Sequence, residues 1–79
     1  MQTIKKMIKN NNISFPDLVL LIRAELNISQ QKLADLLGVK LLTVSRWERG
    51  INPPSKKDRI RLLNLCLKNG IEIQEDADD

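Results

Sequence analysis

The residues best placed to do chemistry lie in one stretch, VKLLTVSRWERG, at positions 39–50. On a helix that turns about 100° per residue, Val44 and Trp47 share one face and Arg46 points away from it. Leu42 falls almost opposite Val44 and beside Arg46, on the outward, cationic side of the helix. A leucine facing outward among cations lowers the solubility of a small free protein, so this side indicates a binding surface.

Other reactive groups are scarce. The chain has no histidine and a single cysteine, Cys66, so neither a zinc cluster nor an internal disulfide is expected. There is no phosphate-cradling glycine loop, and Asp17, Asp35 and Asp58 look like helix caps or surface residues. We therefore expect no enzyme activity, no cofactor and no metal site.

The charge of the chain is unevenly distributed. Its 79 residues carry a net charge of +3, but residues 72–79 hold five acids and no base, which leaves +8 on residues 1–71. A basic body with an acidic tail suggests a polyanionic partner, although a lysine-rich solvated surface explains the charge about as well. The longest apolar run, residues 18–22, is far too short to cross a membrane, and no signal peptide is recognisable, so a cytoplasmic location is expected.

Capping residues, glycines and prolines divide the chain into helical segments. Ser14, Ser29 and Ser55 each precede an apolar pattern of helical period, and Gly38 and Gly50 follow one. The predicted helices span residues 3–9, 15–26, 30–37, 41–49 and 56–69. Residues expected to face the core of the second helix are Leu18, Leu21, Ile22 and Leu26. Residues 71–74 fit either a short strand or an extended tail.

The helices at 30–37 and 41–49 are separated only by a short turn centred on Gly38, so they must cross steeply. This stretch resembles the Cro/C1-type (Xre-like) helix-turn-helix domains of bacterial and phage repressors. The residues that carry the resemblance are Ser29-Gln30, Leu33-Ala34, Leu37-Gly38-Val39, Val44-Ser45-Arg46-Trp47-Glu48-Arg49-Gly50 and Pro54-Ser55.

The resemblance covers about residues 18–67 and implies an all-α fold, a compact five-helix lambda-repressor-like DNA-binding domain. Residues 1–13 and 71–79 lie outside the resemblance; we assign residues 1–70 to the domain and 71–79 to an acidic tail. The resemblance also implies a bacterial or phage-encoded protein whose partner is double-stranded DNA.

The resemblance further implies roles for individual residues, because the second helix of the motif enters the DNA major groove with its N-terminus first. The implied base contacts are Leu41, Leu42, Thr43 and Arg46. The implied phosphate contacts are Gln30, Lys40, Ser45, Arg49 and Lys56. Arg23 and Glu48 stand where such domains often hold a buried ion pair.

Several of these roles have simpler alternatives. Leu42 can meet a thymine methyl group in the groove, or it can pack on a partner protein. Arg46 can pair with guanine or be an ordinary surface cation, while Trp47 is better explained by the core than by base stacking. Lys40 occupies a position that usually holds Ser or Thr in the family. Because lysine cannot cap a helix, we expect the start of helix 41–49 to be less stable by about 1 kcal/mol.

The last predicted helix is apolar on two sides. We expect one stripe, Ile60, Leu63 and Leu67, to face the core. The other stripe, Leu62, Leu65 and Cys66, is then a candidate homodimer interface, unless the N-terminal helix covers it.

Two functions fit these features. The first is a sequence-specific DNA-binding transcriptional regulator, with repression as the expected mode. The alternative is an antitoxin that binds a toxin, with the acidic tail as one contact, and represses its own promoter.

Overall fold

A computed structural model of the chain describes residues 6–9 and 14–74, which form four helices and two short strands. In chain order the elements are β1 (Lys6–Lys9), α1 (Phe15–Leu26), α2 (Gln30–Leu37), α3 (Leu41–Glu48), α4 (Lys56–Lys68) and β2 (Ile71–Gln74). The predicted helical class is confirmed. The predicted count of five helices is wrong, since this part of the chain contains four.

Serine side chains fix where three of the helices begin. The Oγ atoms of Ser14, Ser29 and Ser55 each accept a hydrogen bond from the backbone N–H three residues later, at 3.3, 3.0 and 3.1 Å. Each bond satisfies one of the N–H groups that a helix leaves unpaired in its first turn. The predicted bounds of α1 and α2 are confirmed at both ends. Helices α3 and α4 begin where predicted but each end one residue earlier.

The first predicted helix, residues 3–9, is wrong over residues 6–9. These residues form β1, which pairs in parallel with β2 so that Lys6 lies opposite Ile71 and Lys9 opposite Gln74. Residues 3–5 lie outside the described part of the chain. The backbone ladder to the far end of the sequence overrides a local pattern of helical period.

Eleven buried side chains form one core. They are Leu18, Val19, Ile22, Leu33, Ala34, Leu37, Val44, Trp47, Leu62, Cys66 and Ile71. Val19 was not expected there, and Leu21, which was, is 41% exposed. The predicted core position of Trp47 is confirmed, since the residue is 2% exposed and its ring meets Phe15 edge to face at a centroid distance of 6.0 Å.

The two apolar stripes of α4 are exchanged relative to the prediction. Leu62 and Cys66, one turn apart, are buried where α4 packs against α2 and β2, and Leu65 is partly buried against the same core. Ile60 and Leu67, two of the expected core residues, are 49% and 51% exposed. The predicted dimer interface of Leu62, Leu65 and Cys66 is therefore wrong as a surface, because its side chains are used inside the domain.

Candidate nucleic-acid interface

The turn between α2 and α3 depends on the backbone of one glycine. Gly38 has φ +72°, in the left-handed region that glycine adopts without steric cost. Its N–H and that of Val39 donate to carbonyls in the last turn of α2, with Val39 bonded to Ala34 at 3.0 Å. A Cβ atom at position 38 would meet no other atom within 4 Å, so the requirement is for this φ and not for space.

Helix α3 has an inner and an outer side. Val44 and Trp47 are buried and hold the helix against α1 and α2. On the outer side Leu41 is 42% exposed, Leu42 is 50% exposed, and Arg46 is exposed as well. The outward leucine expected from the sequence is therefore present. The remaining two candidate contact residues on this helix, Thr43 and Ser45, are partly buried.

The C-terminal end of α3 is tied to two other helices by one carboxylate. Arg23 Nε of α1 donates to Glu48 Oε2 at 2.8 Å, which is the ion pair that the resemblance implied. Gln30 Nε2, at the first position of α2, donates to Glu48 Oε1 at 2.7 Å. Each of the two Glu48 oxygens thus has a protein partner. Because the Glu48 side chain is only 8% exposed, these hydrogen bonds are largely shielded from water.

The contact between Gln30 and Glu48 was not expected from the sequence. The family resemblance implied a different role for Gln30, a phosphate contact made by its side chain and the N-terminus of its helix. The amide nitrogen of Gln30 carries two hydrogens, of which the bond to Glu48 uses one. The side chain is therefore oriented by Glu48 and retains a second donor.

The start of α3 is less well fixed than its end. Lys40 stands at the N-cap position in an extended conformation, but its side chain makes no capping hydrogen bond. Arg49 lies just past the other end, where its Nε donates to the Ser45 carbonyl at 3.4 Å. Lys40, Arg49 and Lys56, the first residue of α4, are exposed cations outside the apolar core.

A helix-turn-helix family model matches residues 19–66, which is more than half of the chain and includes α2, the turn and α3. The chain belongs to the Cro/C1-type helix-turn-helix family. As a helix-turn-helix protein it is a DNA-binding regulator in the general sense, and this family is typically not enzymatic. No curated protein and no solved structure shows a significant match to the chain.

Other kinds of site find little support in the part of the helix-turn-helix protein that the structure describes. No three His, Cys, Asp or Glu side chains of residues 6–9 and 14–74 come together as a possible metal site. Burial raises the pKa of the Cys66 thiol to about 11, so the group stays protonated near neutral pH. Over the same ranges, no helix has the length and apolar character needed to cross a membrane.

Proposed function

We propose that the protein is a homodimeric, sequence-specific transcriptional repressor that reads the major groove with the outer side of α3. The observation that carries this proposal is the division of α3 into two sides. Val44 and Trp47 fix the helix to the domain, whereas Leu41, Leu42 and Arg46 project from it without taking part in the core. Repression needs nothing beyond occupancy of a promoter site, which a DNA-binding domain provides by itself.

The chemistry of the outer side fits base edges. Arg46 can donate two parallel hydrogen bonds to O6 and N7 of guanine, which is a common specific contact in the major groove. Leu42, beside it on the first turn of α3, can pack on the methyl group of thymine. Leu41 and Thr43 lie on either side of Leu42 in the first turn of α3. Because Leu42 favours thymine and Arg46 favours guanine, each half-site is expected to contain both T and G.

Phosphate contacts would hold α3 in register. Lys40 and Arg49 stand at its two ends, where the DNA backbones on either side of the major groove would pass. Gln30 would donate its second amide hydrogen to a phosphate at the N-terminus of α2, where the helix dipole favours an anion. Ser45 and Lys56 complete the proposed set. These contacts carry no sequence information and are expected to be sensitive to salt.

The first experiment is selection of the purified protein on a pool of random DNA duplexes at near-physiological salt. Enrichment of a two-fold site with T and G in each half is the expected result. Arg46→Ala should then lower affinity for the selected site by about 10-fold or more and affect random DNA less, since one good base contact is worth about 1–3 kcal/mol. Lys40→Ala and Arg49→Ala are the matched controls, because loss of a phosphate contact lowers affinity for both DNAs about equally.

Equal losses on specific and random DNA for Arg46, Lys40 and Arg49 would remove base reading from Arg46. Leu42→Ala tests the thymine contact separately: preference for T at one position of the half-site should disappear while overall affinity falls modestly. If that variant binds DNA unchanged, Leu42 does not read the site.

An antitoxin function is the second candidate. It is favoured by exposed apolar side chains away from α3, such as Leu36 and Leu67, and by the acidic residues 72–79. An antitoxin gene should lie beside a gene for a small toxin, and co-expression should relieve the growth arrest that the neighbour causes alone. A neighbour that is harmless when expressed alone would exclude this function.

A further inference from the structure

The turn that ends α3 directs one apolar side chain back along the helix. Gly50 has φ +72°, and its N–H donates to the Trp47 carbonyl with an N···O distance of 3.1 Å. The N–H of Ile51 donates to the Arg46 carbonyl at 3.0 Å. These two bonds form a Schellman motif, which ends a helix through a residue in the left-handed region. The chain therefore turns back at Gly50 and brings Ile51 beside the last turn of α3.

The same turn also packs against the start of α1. A Cβ atom added to Gly50 would lie 3.4 Å from Cγ of Pro16, which stands in the first turn of α1. The backbone at position 50 is therefore fixed by hydrogen bonds to α3 on one side and by Pro16 on the other. Because the turn is held in this way, the place of Ile51 relative to α3 is well defined.

Ile51 is exposed although its side chain is strongly apolar. It is 55% exposed, the largest fraction among the large apolar side chains of the described ranges. In a Schellman motif the residue at this position commonly packs on the side chain five residues before it, which here is Arg46. Arginine has an apolar stem that a neighbour can cover while its guanidinium stays in water. Arg46 therefore offers Ile51 an apolar surface outside the core.

The Arg46 side chain has no polar group to orient it within the part of the chain that the structure describes. Its guanidinium takes part in no hydrogen bond or ion pair there, whereas Nε of Arg49 donates to a backbone carbonyl. A long side chain that moves freely must be ordered when it binds, and this ordering weakens the affinity. A contact with Ile51 would order part of the Arg46 side chain before DNA arrives.

We infer that Ile51 is a positioning residue for Arg46, covering its stem and holding its guanidinium toward the major groove. The inference rests on the base-reading role of Arg46 in the function proposed above. It adds the turn after α3 to the structure that reads the site. Ile51 touches no base in this arrangement, so it acts on the preference for guanine only through Arg46.

The contact is tested first in the full chain without DNA, by NMR. Nuclear Overhauser effects are expected between the methyl groups of Ile51 and the Cγ and Cδ protons of Arg46. Ile51→Ser should remove them and increase the fast motion of the Arg46 Nε–H bond, whereas Ile51→Val should retain most of the order. The matched control is Ile60→Ser, at an isoleucine of α4 that is 49% exposed, which should leave Arg46 unchanged. No Overhauser effects between the two residues, or equal motion in all variants, overturns the inference.

A cycle of variants then measures the effect on DNA reading. The probes are a duplex with one selected half-site and the same duplex with its G·C pair replaced by A·T. Ile51→Ser should weaken binding to the first by about three- to tenfold and leave the second almost unchanged, while Ile51→Val restores the difference. In an Arg46→Ala background, Ile51→Ser should have no further effect, because both substitutions remove the same contact. Circular dichroism checks that each variant is folded.

The results separate this inference from the proposed function. If Arg46→Ala loses the preference for guanine and Ile51→Ser keeps it, only the positioning role of Ile51 is overturned. A loss from Ile51→Ser that persists in the Arg46→Ala background also overturns it, since Ile51 would then contact DNA directly. If Arg46→Ala itself keeps the preference, the base-reading role of Arg46 and the inference are both wrong.

Discussion

Glu48→Ala removes the carboxylate that joins three helices, and its effect on stability can be worked out from the contacts. Two hydrogen bonds are lost, from Arg23 at 2.8 Å and from Gln30 at 2.7 Å. A hydrogen bond to a charged group contributes about 1.5–3 kcal/mol when buried. The Arg23 side chain is 22% exposed, so water recovers part of this loss. We expect unfolding to become easier by about 2–3 kcal/mol, a fall in Tm of about 10–20 °C for a domain of this size.

Urea denaturation followed by the fluorescence of Trp47, the only tryptophan, measures this loss directly. The matched control is Arg61→Ala, which removes an exposed ion pair to Asp58 at 3.6 Å and should cost about 0.5 kcal/mol or less. The Arg23→Ala variant and the double variant complete a cycle, in which the double loss should be clearly smaller than the sum. Additive losses, or a Glu48→Ala loss no larger than that of the control, would refute the reasoning that this carboxylate couples the helices.

Three other single residues also have measurable effects on stability. Lys40→Ser should raise the free energy of unfolding by about 1 kcal/mol, because serine at this N-cap supplies the oxygen acceptor that the other three helices have. Gly38→Ala should lower it by about 1–2 kcal/mol, because alanine resists φ +72° even though its Cβ meets no neighbour. For Cys66, whose pKa is raised from 9.0 to about 11, the unfolded thiol ionises before the folded one, so stability is retained below pH 9 and falls between about pH 9 and 11 by up to about 1.4 kcal/mol per pH unit.

Each of these three predictions has a control, which is a second substitution at the same position. Lys40→Ala removes the cation without adding an acceptor, so it should give no gain, and an equal gain would attribute the effect to charge. Gly38→Asn should be tolerated better than Gly38→Ala, because asparagine visits the left-handed region more readily. Cys66→Val should unfold with a weaker dependence on pH above 9; the same dependence in both proteins would show that other groups cause it. Denaturant midpoints followed by circular dichroism serve all three comparisons.

The helix bounds were predictable because they depend on local chemistry. Ser14, Ser29 and Ser55 each cap a helix by accepting a bond from the N–H three residues later, and Gly38 ends one through its own backbone. Such contacts involve neighbours in sequence, so residue types alone were enough to locate these three helix starts and the end of α2. The outward position of Leu42 was predictable for the same reason, since it follows from helical geometry once Val44 and Trp47 are placed inside.

The errors concern contacts between distant parts of the chain. Ile4, Met7 and Ile8 recur at helical spacing in the sequence, but the conformation of residues 6–9 is decided by pairing with β2 near the other end of the sequence. In α4 both apolar stripes have helical period, so periodicity cannot say which one faces α2 and β2. The choice of Leu62 and Cys66 over Ile60 and Leu67 depends on how the helix docks.

Part of the candidate site was hidden for a similar reason. The pair of Arg23 and Glu48 could be anticipated only from family resemblance, and Gln30 joins it across a gap of eighteen residues. Nothing in the spacing of polar residues distinguishes this glutamine from the exposed Gln31 beside it. The signal that could have found it is the place of this glutamine at the first position of α2, beside the end of α3.

The separation of the two sides of α3 has a consequence for how this protein can evolve. The side chains at positions 41, 42 and 46 project from the domain, while Val44, Trp47 and Glu48 hold the helix in place from behind. If α3 reads DNA as proposed, substitutions at the projecting positions change what the helix recognises and cost the fold little. Gene duplicates could therefore diverge toward new target sequences one substitution at a time, each intermediate remaining folded.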